Sequence, residues 1–408
     1  MLKFAFYRFT KNSFIRCLKG TELCLLGLLV LSSGLHARES IDSQFHGFLS
    51  QGFSKTNENY FYGDSRDQVS WDFREIGVNF SHRFNRFGFI SGQILSRKSG
   101  NSSDSNAQLD FLQLDYHLLH ENVHRLGFEI GRVKNPFGFY NETRDVPFTR
   151  PSVILPQSIY FDRTRDLTLS SDGVQFFTSK DFHRAVLRGQ FQVAYPRVDS
   201  DKLKNILLIN DKSGEFKARL SYIAKVSYEP EGRGITFAIS VAQLNSDYNA
   251  SATTAASFRF SPRVISLQYN TLKWSLTGEY ARRPFDFNNL PLSLPLSHIE
   301  GESYYLQSTW RMTHKFSVFA RYDAAYIDRN DRDGKYREQV SGGTLPAYTM
   351  FALDWSFGCR WSLRRNLELA LESHWVNGAA WLDVSENPVP IDIAQRWRLL
   401  TGSFSYRF

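Results

Sequence analysis

The stretch Phe216–Glu229, FKARLSYIAKVSYE, decides the reading of the chain. Phe216, Ala218, Leu220, Tyr222, Ala224, Val226 and Tyr228 alternate with Lys217, Arg219, Ser221, Lys225, Ser227 and Glu229, and Ile223 is the one interruption. A period of two is the strand period. Strands of soluble sandwiches are usually about five or six residues long. A run of fourteen suits a strand that crosses a bilayer at a tilt. The apolar set then faces acyl chains, and Lys217, Arg219 and Lys225 face a wet interior.

Further segments repeat the pattern. Phe316, Val318, Ala320, Tyr322 and Tyr326 oppose Ser317, Arg321 and Asp323. Phe351, Leu353, Trp355, Phe357 and Trp361 oppose Asp354, Ser356 and Arg360, while Leu367, Leu369, Leu371 and Trp375 oppose Glu368, Glu372 and His374. The expected lumen-facing set is therefore Lys217, Arg219, Lys225, Arg321, Asp323, Asp354, Arg360, Glu368 and Glu372. Long connections near 55–69, 97–107, 135–171, 196–214, 245–256, 284–301, 329–347 and 378–394 alternate with short ones. The short ones lie near 82–86, 119–124, 180–184, 229–234, 270–273, 312–315 and 362–366. This alternation predicts an all-β fold, a transmembrane antiparallel β-barrel of about 16 strands with short periplasmic turns and longer outer loops.

Composition agrees. Aromatics reach 15% while mean hydropathy is negative, as expected when every second strand residue meets lipid. Past the first 35 residues no apolar run is long enough for a membrane helix. Residues 1–37 have the order of a signal peptide: Lys3, Arg8, Lys11, Arg16 and Lys19, then the apolar run Leu23–Leu31, then Leu35-His36-Ala37 as a cleavage site. Removing five basic residues and one acidic one lowers the net charge from +8 to +4. Cys17 and Cys24 leave with the leader, so the barrel, residues 38–408, keeps only Cys359 and can form no internal disulfide. The ending Leu400–Phe408, LTGSFSYRF, alternates and stops on an aromatic residue. It resembles the carboxyl-terminal assembly signal of Gram-negative outer-membrane barrels, which implies the barrel-assembly machinery as a partner.

The most distinctive segment is Gly131–Asp166, GRVKNPFGFYNETRDVPFTRPSVILPQSIYFDRTRD. Pro136, Pro147, Pro151 and Pro156 exclude a long regular strand. Loops of this length are usually functional. Arg132, Lys134, Arg144, Arg150, Arg163 and Arg165 concentrate charge there, partly balanced by Glu142, Asp145, Asp162 and Asp166. Folded into a water-filled barrel, the loop 135–171 would narrow the lumen, and those six cations are the candidate constriction. Packed outside, it would be a surface loop.

The run Gly131–Asn141 resembles the phosphate-selective-porin-like family of outer-membrane barrels, a likeness that extends to Asp331-Arg332-Asp333-Gly334 and to the terminal strand. The resemblance implies a 16-stranded barrel, often a homotrimer, that passes small hydrophilic solutes. The lysine-rich ladder that phosphate selectivity would need is missing, since Glu229, Glu279, Asp323, Asp354, Glu368 and Glu372 interleave with the inward cations. The function expected is passive diffusion of solutes or ions through the bacterial outer membrane with a mild anion preference. The alternative is a surface receptor or adhesin with a closed lumen.

Other chemistry is not supported. Aligned on Gly334, the loop Asp328–Gly334 would put Arg329 and Val340 at the first and last ligand positions of an EF-hand, so no metal is expected. Ser373 and His374 face opposite sides of a strand and cannot pair as nucleophile and base. No cofactor, enzymatic activity or nucleic-acid partner is expected. Outer-membrane lipid and lipopolysaccharide are.

Overall fold

The computed structural model describes residues 43–101, 103–121, 123–198, 203–204, 214–249, 256–290 and 297–408. The expected signal peptide, residues 1–37, lies outside them. So do parts of the connections near 196–214, 245–256 and 284–301.

The strands are β1 Ser43–Thr56, β2 Ser70–Arg83, β3 Gly88–Ser99, β4 Asp104–His120, β5 His124–Lys134, β6 Ser170–Phe182, β7 Ala185–Pro196 and β8 Glu215–Pro230. They continue as β9 Ile235–Asn249, β10 Ala256–Phe260 with Arg263–Asn270, β11 Trp274–Asn288, β12 His298–Arg311, β13 Phe316–Tyr326, β14 Phe351–Arg364, β15 Leu367–Gly378 and β16 Arg396–Arg407. The two pieces of β10 are one strand. Pro262 has no N–H to give the ladder, yet register is kept across it: Phe260 faces Leu244 and Phe285, and Arg263 faces Val241 and Arg282. Each strand pairs antiparallel with its sequence neighbour. β1 closes the sheet against β16, from Phe48 opposite Arg407 to Thr56 opposite Leu399. The result is a closed barrel of 16 strands.

Short and long connections alternate as the sequence predicts, with turns at 84–87, 183–184 and 365–366 against loops at 57–69, 135–169 and 379–395. Two details differ. The connection expected at 97–107 shrinks to 100–103, which puts Arg97 in the wall, and β9, β11 and β12 run several residues farther than expected.

The wall has two chemistries. Leu267, Leu306 and Trp355 are 54%, 54% and 53% exposed on its outside, while Ser266, Gln192 and Ser356 are fully buried on its inside. So large an exposed apolar surface marks a non-aqueous partner. Around a closed barrel that partner is a bilayer, and a 16-stranded barrel of this kind is an outer-membrane structure. Three apolar clusters sit inside the barrel. One joins Phe61, Phe73, Val153, Ile154, Trp381 and Trp397; a second joins Phe137, Leu155, Ile159, Tyr160 and Tyr305; a third joins Phe216, Tyr248, Phe258 and Phe260.

The third cluster corrects the reading of Phe216–Glu229. The pairing of β8 with β9 shifts between Arg219 and Tyr222, the signature of a bulge, which reverses the alternation. Lys225 keeps its inward position beyond the bulge. Before it, Phe216 and its partner Tyr248 turn inward, so Lys217 and Arg219 are exposed on the outer face instead of the lumen. Ile223 is buried in the same cluster, which accounts for its break in the pattern.

Candidate functional site

The segment 135–169 leaves β5 because Pro136 cannot continue the ladder. Its two ends are held together: the Asn135 N–H donates to the Leu169 carbonyl at 3.0 Å, and Asn141 Nδ2 donates to the carbonyls of Asn135 (2.9 Å) and Thr168 (2.8 Å). A short helix, α1 Arg165–Leu169, leads into β6.

Between these ends the segment touches almost every side of the wall. On β9 and β11, the Gly138 N–H donates to Ser240 Oγ at 3.1 Å and the Phe139 N–H to Glu279 Oε1 at 2.9 Å. Gly138 has φ +61°, and a Cβ there would lie 2.5 Å from Tyr160 Oη and 2.9 Å from Glu279 Oε1, so this approach needs glycine. Glu279 also accepts from Tyr160 (2.6 Å), Ser266 (2.6 Å) and Tyr305 (2.9 Å). On β7 and β8, Glu142 accepts from Gln190 at 2.9 Å and Lys225 at 2.8 Å. On β15, Glu372 accepts the N–H groups of Val153 (2.9 Å) and Ile154 (2.8 Å). On β13, Arg321 donates to Ser152 Oγ at 2.9 Å, and Asp323 accepts the Ser158 N–H at 3.4 Å. On β14, Arg360, ion-paired with Glu368, donates to the Pro147 carbonyl at 3.2 Å. On β2, Glu75 accepts from Arg150 at 3.1 and 2.5 Å. A segment bonded to strands on opposite sides of a barrel lies across its interior.

The basic residues expected at a constriction separate into three groups. Arg144, Arg150, Arg165 and Lys134 are buried inside, each ion-paired with an acid. Arg144 pairs with Asp162 at 3.0 Å and Lys134 with Asp110 at 2.5 Å; Asp145 accepts from both Lys134 and Arg165. Arg97, on β3, bridges Glu75 (3.3 Å) and Asp162 (2.9 Å). Arg163 donates to the Ala380 carbonyl at 2.9 Å. Arg132 departs from the expectation. It lies on the outer face with Ile130 and forms a two-pronged pair with Asp172, at 2.7 and 3.0 Å. Its position in the alternation of β5, after Leu126, Phe128 and Ile130, carried that signal.

Burial alone would raise the Asp162 carboxyl, but Arg97, Arg144 and Arg165 outweigh it and hold the group well below the ordinary range. Arg165 and Lys134 do the same for Asp145. Burial, with repulsion from Arg165, pulls the Arg144 guanidinium down to about 10. Four of the loop's cations, Lys134, Arg144, Arg150 and Arg165, are therefore ion-paired in place, while Arg163 meets a backbone carbonyl. Of the other expected lumen residues, Asp354 points inward and accepts from the ring of His374 at 2.7 Å, and His374 also meets Glu372 at 3.1 Å.

Sequence reasoning missed Glu75, Arg97, Tyr62 and Glu386, and it placed Glu279 inward without its part in holding the loop. Glu386, in the loop 379–395, accepts the backbone N–H groups of Tyr62 (2.9 Å), Gly63 (2.7 Å) and Asn101 (3.0 Å), which ties three outer loops together. Nothing local in the sequence marks these residues, because every partner is distant along the chain.

Below the loop the lumen opens into cavities. One of about 390 Å³ is lined by Lys273, Arg311, Lys315 and Arg360 with a single carboxylate, Glu368. Another of about 480 Å³ is lined by Asp115, Glu129, Glu142 and Glu229 with Arg188 and Lys225.

No protein-family profile and no curated protein matches the chain. Solved structures do, at low identity. An anion-selective porin from Comamonas acidovorans is 10% identical, with a TM-score of 0.55 over 90% of this chain and 99% of that one. The outer membrane channel DcaP of Acinetobacter baumannii is 11% identical, with a TM-score of 0.54 over 90% and 97%. The outer membrane protein OmpT of Vibrio cholerae, in a trimer form, is 11% identical, with a TM-score of 0.53 over 90% and 99%. The chain has the fold of the outer-membrane porins.

Proposed function

We propose that the protein is a porin, a passive channel for small hydrophilic solutes in the outer membrane. The carrying observation is the segment 135–169, which crosses the interior of a barrel wide enough to hold water. Steric cutoff at this loop and fixed charge beside it then set what passes.

A mild anion preference fits the cavity beneath the loop, where Lys273, Arg311, Lys315 and Arg360 face only Glu368. Arg144, Arg150 and Arg165 of the loop do not supply it, being ion-paired. The preference is for anions in general rather than phosphate, because Glu129, Glu142 and Glu229 line the neighbouring cavity. A homotrimer, a cleaved leader at residues 1–37 and assembly through Leu400–Phe408 complete the proposal. The named trimer among similar folds supports the first of these.

Liposome swelling tests the channel. Proteoliposomes that swell in small sugars support it; folded barrel that leaves vesicles tight supports a receptor or adhesin with a closed lumen.

A further inference from the structure

The cavity of about 480 Å³ beneath the loop, walled by β3 to β9, holds acids that no cation answers. Phe139 and Glu142 of the loop cover it, and its wall runs down toward the short turns 183–184 and 231–234. Two of its acids are neutralised in place. Glu142 pairs with Lys225 at 2.8 Å, and Glu229 pairs with Arg188 at 2.7 Å. Asp115 and Glu129 have no ion pair among the described residues. They lie directly opposite each other on β4 and β5. Like charges so placed destabilise a sheet, so this pair calls for a cation between them.

The same row carries unanswered amide groups. Glu129 faces Gln175 on β6, and Gln175 faces Gln192 on β7. Gln175 is buried and donates Nε2 to Glu129 Oε2 at 2.8 Å, which holds its amide beside the acid. Its Oε1 has no partner among the described residues, and neither does either amide atom of the fully buried Gln192. Asp115 is fixed from the other side by Gln113 Nε2 at 3.2 Å and Ser91 Oγ at 3.4 Å. A buried acceptor left open costs stability, so Asp115, Glu129 and Gln175 together call for a positively charged donor. Around them Phe89, Phe139 and Phe177 line the cavity, with the His117 ring packed 5.3 Å from that of Phe177.

We propose that this cavity binds a small arylalkyl amine in its ammonium form. A primary ammonium carries one positive charge and three N–H donors. They match the two carboxylates and Gln175 Oε1. The phenylalanine rings give the apolar body its contacts and offer the cation an aromatic face. A metal ion fits less well, because no group of three His, Cys, Asp or Glu side chains among the described residues is placed to hold one. The volume lies within the usual range for small-molecule sites. The inference rests on the proposed lumen that solutes enter, and it adds a class of solute that is held there.

Isothermal titration calorimetry of the barrel in phosphatidylcholine nanodiscs tests it, with empty nanodiscs as the reference because such amines also enter lipid. The probes are phenethylamine, its N,N,N-trimethyl analogue and 2-phenylethanol at neutral pH. The alcohol lacks the charge, and the trimethyl form lacks the N–H donors. Phenethylamine should bind at least about tenfold more tightly than either. A variant with Asp115→Asn and Glu129→Gln should bind phenethylamine at least about tenfold more weakly than the wild type. Equal affinity of the wild type for phenethylamine and either analogue, or unaltered affinity in that variant, overturns the assignment. The comparison of probes needs no variant and survives a folding failure. Planar-bilayer recording separates the two proposals. A silent barrel that still selects phenethylamine refutes the channel and leaves this site standing; open steps from a barrel that does not discriminate among the probes refute the site alone.

Discussion

Two sets of basic side chains in this barrel have opposite fates. Lys134, Arg144, Arg150 and Arg165 are buried inside and matched by Glu75, Asp110, Asp145 and Asp162. Lys217, Arg259 and Arg263 stand exposed on the outer rim without an ion pair among the described residues. Residue type is the same, but the role follows the pairing. Buried charges hold a loop in place because losing one partner is costly, and unpaired surface charges cost little. A count of arginines in a channel loop therefore says little about selectivity until their partners are known.

The largest effect should come from cutting the inner network. Glu75→Gln leaves Arg150 buried without its carboxylate and Arg97 with Asp162 alone, and should cost about 3–5 kcal/mol. Heat-modified mobility on gels should show unfolding at lower temperature, and the loop should become open to proteolysis. Retained stability would mean that the inner pairs are not what holds the loop.

A smaller, pH-dependent effect is expected at Glu386. Burial, aided by Asp383, pushes its carboxyl up to about 7 from an ordinary 4.5, against the pull of its N–H donors. A folded value above the unfolded one gives a stability contribution fully present below 4.5 and lost as pH rises through about 7. The melting temperature of the wild type relative to Glu386→Gln should therefore fall between about pH 5 and about pH 8. A constant difference would sink this account of the loop contact.

Selectivity should shift without loss of stability in Lys273→Gln with Lys315→Gln. Reversal potentials under a salt gradient should move toward cations, and Arg132→Gln, on the outer face, should leave them unchanged. Least of all, Arg259→Ala should alter thermal stability by no more than about 0.5 kcal/mol. A larger loss would show that the rim is structural.

Much of this was legible in the sequence. Alternation and loop lengths predict the strand number, and the positions of Arg321, Asp323, Asp354 and Glu372 follow from parity alone. The bulge in β8 was not legible, because alternation resumes on both sides of it and only Ile223 betrays the shift. The extra length of β9, β11 and β12 escaped for a related reason. There the charges face outward and the apolar residues inward, the reverse of the membrane pattern. In the loop, charge and length were visible, but the ion pairs were not, since Glu75 and Asp110 lie on remote strands.

The central claim is that the segment 135–169 narrows a wet lumen. Single-channel conductance in planar bilayers tests it most directly, comparing the wild type with a variant whose residues 139–161 are replaced by a short glycine–serine link. Steady open steps in the wild type, and larger ones in the variant, are predicted. A silent wild type, or steps of equal size in both, would contradict it.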